Sequence, residues 1–333
     1  MLELDGLQKR YGDLVALDGV SFLVRPGELY GFVGTNGAGK TTTMRIILGV
    51  LAADAGTVSW NGAPMNAEGR RMTGYMPEER GLYPKMRVRG HLEYLAQLHG
   101  LTRPDAAKAA GHWMERLGVA ARASDRVEAL SLGNQQRVQL AAAMVHSPAL
   151  LILDEPFSGL DPVGVDALAE VLRERANEGV PVVFSSHQLD LVERLCDAVG
   201  IIQAGRIHAS GTVEELRSTR VERTLRVGTA APAGWADRVA GVVGAVYENG
   251  TTLLTLARDA DDQAVLDLAR SLGPVRQFTP VNPSLADLFR EVVAEQSNAV
   301  PDHAVPDHAV PDHAVPDRAT SNNTATDHEG EAA

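Results

Sequence analysis

The sequence predicts an α/β fold built around a phosphate-binding loop, followed by a small α+β domain and a low-complexity tail. Three observations support this fold class. The segment Gly34–Thr42 reads G-T-N-G-A-G-K-T-T and matches the pattern G-x-x-x-x-G-K-[ST]. It lies between an apolar run, Leu29–Val33, and a helical pattern over 42–48. The later apolar runs Leu150–Leu153 and Val180–Ser185 are typical of buried parallel strands separated by helices.

The N-terminal region alternates short apolar runs with turns, which predicts β-strands. The last of these runs ends in the dipeptide Asn-Gly at 61–62, which is a strong hairpin signal. The predicted strands ahead of and behind the loop are Leu2–Leu4, Val15–Leu17, Val20–Val24 and Gly56–Gly62.

The middle of the chain has the periodicity of helices. Apolar residues recur every three or four positions from His91 to Leu117, and the segment Gly100–Pro104 separates two helices. A further helix is predicted over Gln135–Met144. We group these helices into a helical subdomain at about 85–150.

The composition changes after Arg217. Two candidate strands, Thr224–Val227 and Thr252–Leu256, precede a candidate helix, Gln263–Leu272, which indicates a small α+β domain. A repeat of Val-Pro-Asp-His-Ala begins at Val300, and its proline and acidic content predict a disordered tail. The predicted division of the chain is 1–217, 218–292 and 293–333.

The net charge of −12 is unevenly distributed along the 333 residues. From Glu291 onward there are nine Asp or Glu and one Arg, which account for −8. This balance argues against a nucleic-acid binder with a broad basic surface. The repeat histidines His303, His308 and His313 are candidate transition-metal ligands, but a solvated tail is the simpler interpretation. The single cysteine, Cys196, fits a reducing cytoplasm and a packed helix position.

The glycine-rich loop has the chemistry of a phosphate cradle. Glycines let backbone N–H groups curl around phosphate oxygens, and the helix start adds the positive end of its dipole. Lys40 is expected to reach the β- and γ-phosphates, and the Thr41 hydroxyl to ligate Mg²⁺. The alternative is a glycine-rich turn that holds no ligand.

Two further segments carry candidate chemistry. The run Leu150–Leu153 ends in Asp154 and Glu155, where an Asp can hold Mg²⁺ through its water shell and a Glu can polarise an attacking water. The alternative is a strand that ends in a solvated acidic turn. Ser131 and Gly133 precede a helix start, which is a second candidate anion site or an ordinary helix cap.

In their order along the chain, the motifs resemble those of the ATP-binding subunit of ATP-binding cassette (ABC) transporters, over about residues 1–217. The resemblance assigns Tyr11 to adenine stacking, the segment Gly34–Thr42 to Walker A and Asp154-Glu155 to Walker B. The fold it implies is a P-loop NTPase of ABC type, with a mixed sheet core plus antiparallel β and helical subdomains. The other assignments are Pro77-Glu78-Glu79 for the Q-loop, Ser131–Gln135 for the signature motif, Ser158–Asp161 for the D-loop and His187 for the switch histidine.

The resemblance also implies a set of site residues. The residues expected at the nucleotide are Tyr11, Gly34, Asn36, Gly37, Ala38, Gly39, Lys40, Thr41, Thr42, Ser131, Gly133, Gln135 and Asp161. The expected catalytic residues are Lys40, Glu155 and His187. The expected metal ligands are Thr41, Glu78 and Asp154.

The chain departs from the family pattern at two motifs. Glu78 stands where most of the family has Gln, and the alternative for it is an ordinary loop carboxylate. Leu132 and Asn134 replace the usual Gly and Gln of the signature, while Ser131 and Gly133 are retained. These departures, with the segment Pro283–Phe289, resemble the branch of sodium and daunorubicin-type drug-export ATPases.

The resemblance implies a head-to-tail dimer that sandwiches two ATP molecules and drives a separate permease. The expected partners are an ABC-2-like membrane permease and a second ATP-binding subunit, identical or not, with no nucleic acid. The sequence has no run of 18 apolar residues and no leader pattern, so we expect no membrane span. The resemblance implies a peripheral protein on the cytoplasmic face of the membrane. The alternative is a soluble ABC ATPase that acts on ribosomes or DNA.

Overall fold

The computed structural model describes residues 1–79, 81–218, 223–237, 239–248, 250–281 and 284–290. The repeat that begins at Val300, and Pro283 of the C-terminal motif, lie outside the described residues. Within these ranges, every helix is too short or too polar to span a bilayer.

The described strands form three sheets. In chain order they are β1 (Leu2–Tyr11), β2 (Leu14–Val24), β3 (Leu29–Val33), β4 (Ala55–Trp60), β5 (Ala63–Pro64), β6 (Thr73–Met76), β7 (Leu150–Leu153), β8 (Val182–Ser186), β9 (Ala198–Gln203), β10 (Arg206–Thr212), β11 (Arg223–Thr229), β12 (Val242–Glu248), β13 (Thr251–Leu256) and β14 (Val275–Val281).

The α-helices connect and cover these sheets. They are α1 (Lys40–Ile47), α2 (Ala67–Arg71), α3 (Val88–Leu98), α4 (Arg103–Arg116), α5 (Leu132–Met144), α6 (Pro162–Asn177), α7 (Leu189–Leu195), α8 (Val213–Ser218) and α9 (Asp262–Leu272).

The central sheet has six strands in the order β10-β9-β3-β8-β7-β6. The pairs β3–β8, β3–β9, β7–β8 and β6–β7 are parallel, and β10 adds an antiparallel edge. Every residue of β3, β7 and β8 is buried, because helices or the first sheet cover both faces. The predicted strands at Leu29–Val33 and Leu150–Leu153 are confirmed with their bounds, whereas β8 begins at Val182.

The first sheet packs against one face of the central sheet. Its order is β2-β1-β4-β5, all antiparallel. Phe22 of β2 stacks on Tyr30 of β3, with ring centroids 4.9 Å apart and planes 11° apart. The core between the sheets also contains Met44 and Ile47 of α1, so the helix after the loop is fixed to both sheets.

Helices α3, α4 and α5 form the helical region. Small side chains, Ala96, Ala106 and Ala110, are fully buried where α3 and α4 meet, which lets the two helices pack closely. The Thr102 side chain accepts a hydrogen bond from Asp105 N and so begins α4 after the predicted break. The helix α5 returns the chain to β7.

The third sheet has the order β12-β13-β11-β14, all antiparallel. It has its own core, in which Trp235 donates a 2.9 Å hydrogen bond from Nε1 to Thr252 Oγ1. The sequence analysis did not predict β12 and β14, the two edge strands.

After the third sheet the chain returns to the main core. Residues 285–290 are helical, and Leu285 is only 1% exposed in the same hydrophobic cluster as Leu191 and Val192 of α7. The Leu285 backbone N–H donates to Glu193 Oε2 at 3.2 Å. Ser284 and Asp287 bond each other reciprocally and begin this last turn.

Candidate functional site

The glycine-rich loop joins the buried end of β3 to α1, and its glycines are needed for packing. A Cβ on Gly34 would lie 2.3 Å from the Ile202 carbonyl oxygen of β9. Gly39 has a φ of +111°, and a Cβ there would lie 2.6 Å from Leu17 Cδ2. A larger residue at either position would push the loop off the sheet. Asn36 and Gly37 are exposed, whereas Ala38 is buried and its carbonyl accepts from Gly205 N.

Lys40 is the first residue of α1, and its side chain is buried under the loop. The Nζ atom donates to the carbonyl oxygens of Gly34 at 2.7 Å and Thr35 at 3.2 Å. Burial lowers the pKa of Lys40, and the nearby carboxylates of Glu155 and Asp154 oppose this effect. The ammonium is therefore held at one place, next to the loop N–H groups.

Asp154 follows β7 and has a hydroxyl on each of its carboxylate oxygens. Thr41 Oγ1 donates to Oδ2 at 2.8 Å, and Ser185 Oγ of β8 donates to Oδ1 at 2.5 Å. Parallel strands β3, β7 and β8 end at the same edge of the sheet, which brings these three residues together.

Glu155 is held in the left-handed region of backbone space, with a φ of +50°. Its N–H donates to Ser185 Oγ at 2.8 Å, and its carbonyl accepts from Gln136 Nε2 at 3.2 Å. Its carboxylate Oε2 lies 3.0 Å from Nδ1 of His187, which follows β8. Glu155 is buried and His187 is largely exposed, so the pair stands at the boundary between core and solvent. Such backbone strain is concentrated at functional sites.

Lys40, Thr41, Asp154 and Glu155 line one cavity of about 440 Å³, whereas His187 does not line it and reaches the site through its contact with Glu155. Tyr11, at the end of β1, is half exposed at the mouth of the cavity, and Lys9 Nζ lies 5.7 Å from its ring centroid. Glu78, the departure at the Q-loop, also lines the cavity and is exposed. The lining consists of Tyr11, Leu14, Val15, Ala16, Asn36, Gly37, Gly39, Lys40, Thr41, Thr42, Glu78, Asp154 and Glu155.

Six predicted nucleotide contacts do not line this cavity: Gly34, Ala38, Ser131, Gly133, Gln135 and Asp161. Ser131 is the exposed residue before α5. The Gln135 amide donates to the carbonyls of Val127 and Leu130, at 3.1 and 3.2 Å. Asp161 accepts from Gly164 N and caps α6. Within one chain Gln135 and Asp161 therefore order the starts of α5 and α6, whereas Ser131 makes no side-chain capping hydrogen bond.

The sequence analysis missed two residues that build the site, Gln136 and Ser185. The Gln136 amide reaches the carbonyls of Glu155 and Pro156, at 3.2 and 2.8 Å, and so ties α5 to the turn after β7. On the same helix, Gln139 donates to the Pro77 carbonyl at 2.5 Å, which holds the segment before Glu78. The sequence analysis also did not predict that Leu14, Val15 and Ala16 line the cavity. Only their closeness in sequence to Tyr11 could have indicated it.

The donors in the cavity fit a hard divalent cation. The Thr41 hydroxyl and the Asp154 carboxylate supply oxygen at adjacent points, and Glu78 adds a further carboxylate. Among the residues that the structure describes, no three His, Cys, Asp or Glu side chains cluster as a metal cage. Mg²⁺ is typically bound by one or two protein oxygens together with waters and substrate phosphates, so these residues suit it.

Two known protein families match this chain, one in its N-terminal part and one in its C-terminal part. Residues 17–158 match the family described as ABC transporter, and residues 211–293 match the family described as ATP-binding protein DrrA1-3-like, C-terminal domain.

Relatives and solved structures match over most of the chain. It is 39% identical over 293 residues to an uncharacterized ABC transporter ATP-binding protein, YhaQ, of Bacillus subtilis (strain 168), which covers 88% of this chain and 98% of the relative. It is 34% identical over 263 residues to the Nod factor export ATP-binding protein I of Paraburkholderia xenovorans (strain LB400), covering 78% and 86%. A solved ATP binding subunit of an ABC transporter aligns with a TM-score of 0.62 and 33% identity, over 66% of this chain and 92% of that one. Together with the loop and the acidic strand end around one cavity, and with His187 in contact with Glu155, these likenesses lead to one conclusion: the chain belongs to the ABC transporter ATP-binding proteins and is an ATPase of that family.

Proposed function

We propose that this chain binds ATP with Mg²⁺, pairs with a second ATP-binding subunit, and hydrolyses ATP to drive an export permease in the membrane. The observation that carries the proposal is the meeting of Lys40, the Thr41–Asp154 pair and Glu155 around one cavity, with His187 in contact with Glu155 beside it. Each supplies a different part of the chemistry.

The loop and its lysine bind the phosphates. The triphosphate lies along the loop, where backbone N–H groups and the start of α1 favour negative charge. Lys40 has three protons, and its carbonyl contacts direct it toward the loop interior, where a phosphate oxygen is the natural further acceptor. Adenine stacks on the half-exposed ring of Tyr11 at the mouth.

Thr41 and Asp154 hold the cation, and Glu78 lies within the same cavity. Mg²⁺ held by these residues would neutralise charge on the β- and γ-phosphates. The Thr41 hydroxyl would then be free to ligate the cation, while Ser185 continues to hold the other Asp154 oxygen.

Glu155 aligns the attacking water and accepts its proton as the oxygen of the water bonds to the γ-phosphorus, while the bond from that phosphorus to the β–γ bridging oxygen breaks and ADP leaves. Its carboxylate is anchored by His187 at 3.0 Å, and the His187 ring is exposed enough to contact the γ-phosphate. The buried backbone of Glu155 keeps the carboxylate at the end of β7.

A second subunit completes each site. Ser131 and Gly133 stand at the start of α5, a helix N-terminus suited to a γ-phosphate, yet they lie outside the cavity of their own chain. A head-to-tail dimer places this helix start of one subunit over the cavity of the other. Closure on ATP and opening after hydrolysis then provide the mechanical step.

The relatives support an export permease as the partner. The name of one relative describes Nod factor export, and the C-terminal residues match a DrrA1-3-like domain. We propose an ABC-2-like permease and peripheral attachment to the cytoplasmic face of the membrane.

The test is affinity purification of the full chain from native membranes in mild detergent. Recovery of a polytopic membrane protein, in amounts that increase with ATP, supports the proposal. Recovery of ribosomal or DNA-associated proteins without a membrane partner contradicts it and favours a soluble ABC ATPase.

A further inference from the structure

The Ser185 hydroxyl bridges the two acidic residues at the end of β7. It lies in β8, is fully buried, and contacts both Asp154 Oδ1 at 2.5 Å and Glu155 N at 2.8 Å. An N–H can only donate, so the Ser185 oxygen accepts from Glu155. The hydroxyl proton therefore points to Asp154, and the orientation of the group is fixed by its two partners.

This bridge holds the backbone of Glu155, which has a strained conformation. A φ of +50° at Glu155 is uncommon for a residue with a side chain. Such a conformation persists only where surrounding contacts determine it. Ser185 holds the N–H side of Glu155, and Gln136 holds its carbonyl side. Of these two, only Ser185 also contacts the Asp154 carboxylate.

The same bridge also sets the direction of Asp154. Thr41 is bound to one carboxylate oxygen and Ser185 to the other. Thr41 lies on the nucleotide side of Asp154, whereas Ser185 belongs to the sheet behind it. Ser185 is thus the contact that keeps Asp154 in place when Thr41 turns to a ligand in the cavity.

We propose that Ser185 is a positioning residue for ATP hydrolysis: it aligns the carboxylate of Asp154 and the backbone of Glu155 relative to each other. The proposal rests on the function proposed above. Ser185 is fully buried and does not line the cavity, so its effect is exerted on the rate of the chemical step and on the cation, with little effect on nucleotide affinity.

The experiment compares Ser185→Ala with Ser186→Ala in the full chain. Ser186 is the matched control, because it is the next residue of β8, equally buried, and its hydroxyl accepts from Gln188 N instead. We expect Ser185→Ala to lower kcat about tenfold, which is the size of effect that about 1.4 kcal/mol produces. We expect its Kd for ATP measured in EDTA to change less than about twofold, and the Mg²⁺ concentration for half-maximal ATP binding to rise. Ser186→Ala should keep kcat within about twofold of wild type.

Two further variants separate positioning from folding. Ser185→Thr keeps the hydroxyl and should recover most of kcat. Ser185→Cys fills the same space with a weak donor and acceptor, and should lose activity even if Ser185→Ala fails to fold. Equal kcat in Ser185→Ala and Ser186→Ala, with wild type active, would overturn the positioning role alone. An inactive wild type that still folds would instead contradict the proposed function.

Discussion

The Thr41 hydroxyl donates a 2.8 Å hydrogen bond to the Asp154 carboxylate and joins two residues 113 positions apart in the sequence. Thr41 lies at the start of α1, which follows β3, and Asp154 lies at the end of β7. In the central sheet β7 is two strands away from β3. Because this contact links phosphate binding to the acidic pair, each side of it can be tested separately.

On the phosphate side, Lys40→Ala should weaken ATP binding by about ten- to a hundredfold, the loss expected for a hydrogen bond to a charged group. Isothermal titration calorimetry measures this directly. Lys108→Ala, at an exposed position of α4, is the control and should bind as wild type. Unchanged affinity in Lys40→Ala would argue against phosphate binding at this loop.

On the acidic side, Glu155→Gln should keep ATP affinity close to that of wild type and lower kcat by about 10²–10⁴. The amide preserves size and can still contact His187, but it is unable to accept the proton of water. Phosphate release measures kcat, and gel filtration with ATP should show a dimer because closure is no longer followed by hydrolysis. Turnover near that of wild type would remove Glu155 from its catalytic role.

The amide of Gln136 should matter for both stability and turnover. Gln136→Leu leaves the buried carbonyls of Glu155 and Pro156 without this donor, at a cost of about 1–3 kcal/mol. We expect a lower melting temperature together with a lower kcat. Gln97→Ala, whose exposed amide bonds only to Glu93 O of its own helix, is the comparison and should change neither. A lower melting temperature with unchanged kcat would mean that the Gln136 contact stabilises the fold but does not affect hydrolysis.

Stability should fall in acid because of His146. Burial, and secondly the stacked ring of His99, lower the pKa of His146 to about 4. The unfolded chain takes up this proton near pH 6.5, before the folded chain does, so the folded state is penalised increasingly as pH falls from about 6.5 to about 4. His91, whose pKa is also lowered by burial, acts in the same direction.

His146→Gln should therefore reduce the proton uptake on unfolding by up to about one proton in this range. Urea denaturation at several pH values measures it, as the slope of the free energy of unfolding against pH. An identical slope in wild type and variant would show that His146 titrates normally in the folded chain.

The C-terminal turn should stabilise the main core. Leu285→Ala removes a side chain that is 1% exposed, which typically costs about 2–5 kcal/mol. Leu272→Ala, at a site that is 45% exposed on α9, should cost far less. Urea midpoints followed by tryptophan fluorescence compare the two, and equal midpoints would mean that the last turn contributes no packing.

The sequence was most informative where burial is simplest. The runs at Leu29–Val33 and Leu150–Leu153 became strands at those bounds, because strands covered on both faces are apolar throughout. The strand β12 contains Gly244 and Ala245, and β14 contains Pro280, and these residues, which disfavour strands, interrupt the strand pattern in both edge strands. Their pairing comes from β13 and β11, which supply the neighbours.

The candidate site was predictable as motifs but not as geometry. Local spacing identified the loop and the acidic pair, because each motif is continuous in sequence. No local pattern indicates that Ser185 faces the end of β7, since this depends on which strand lies beside which. The left-handed backbone of Glu155 is likewise a product of contacts with Ser185 and Gln136, which come from two other elements.

Because the chain returns to the main core at Leu285, the third sheet is connected to the main body at both of its ends. Its strands leave the main body after α8 and are followed by a turn that is buried in that body, so the sheet is tied at both ends, as an inserted domain is. Removing everything after residue 217 would therefore take away part of the packing around α7, the helix that follows His187. The last described turn is far from α7 in the sequence, yet it packs with the core around that helix.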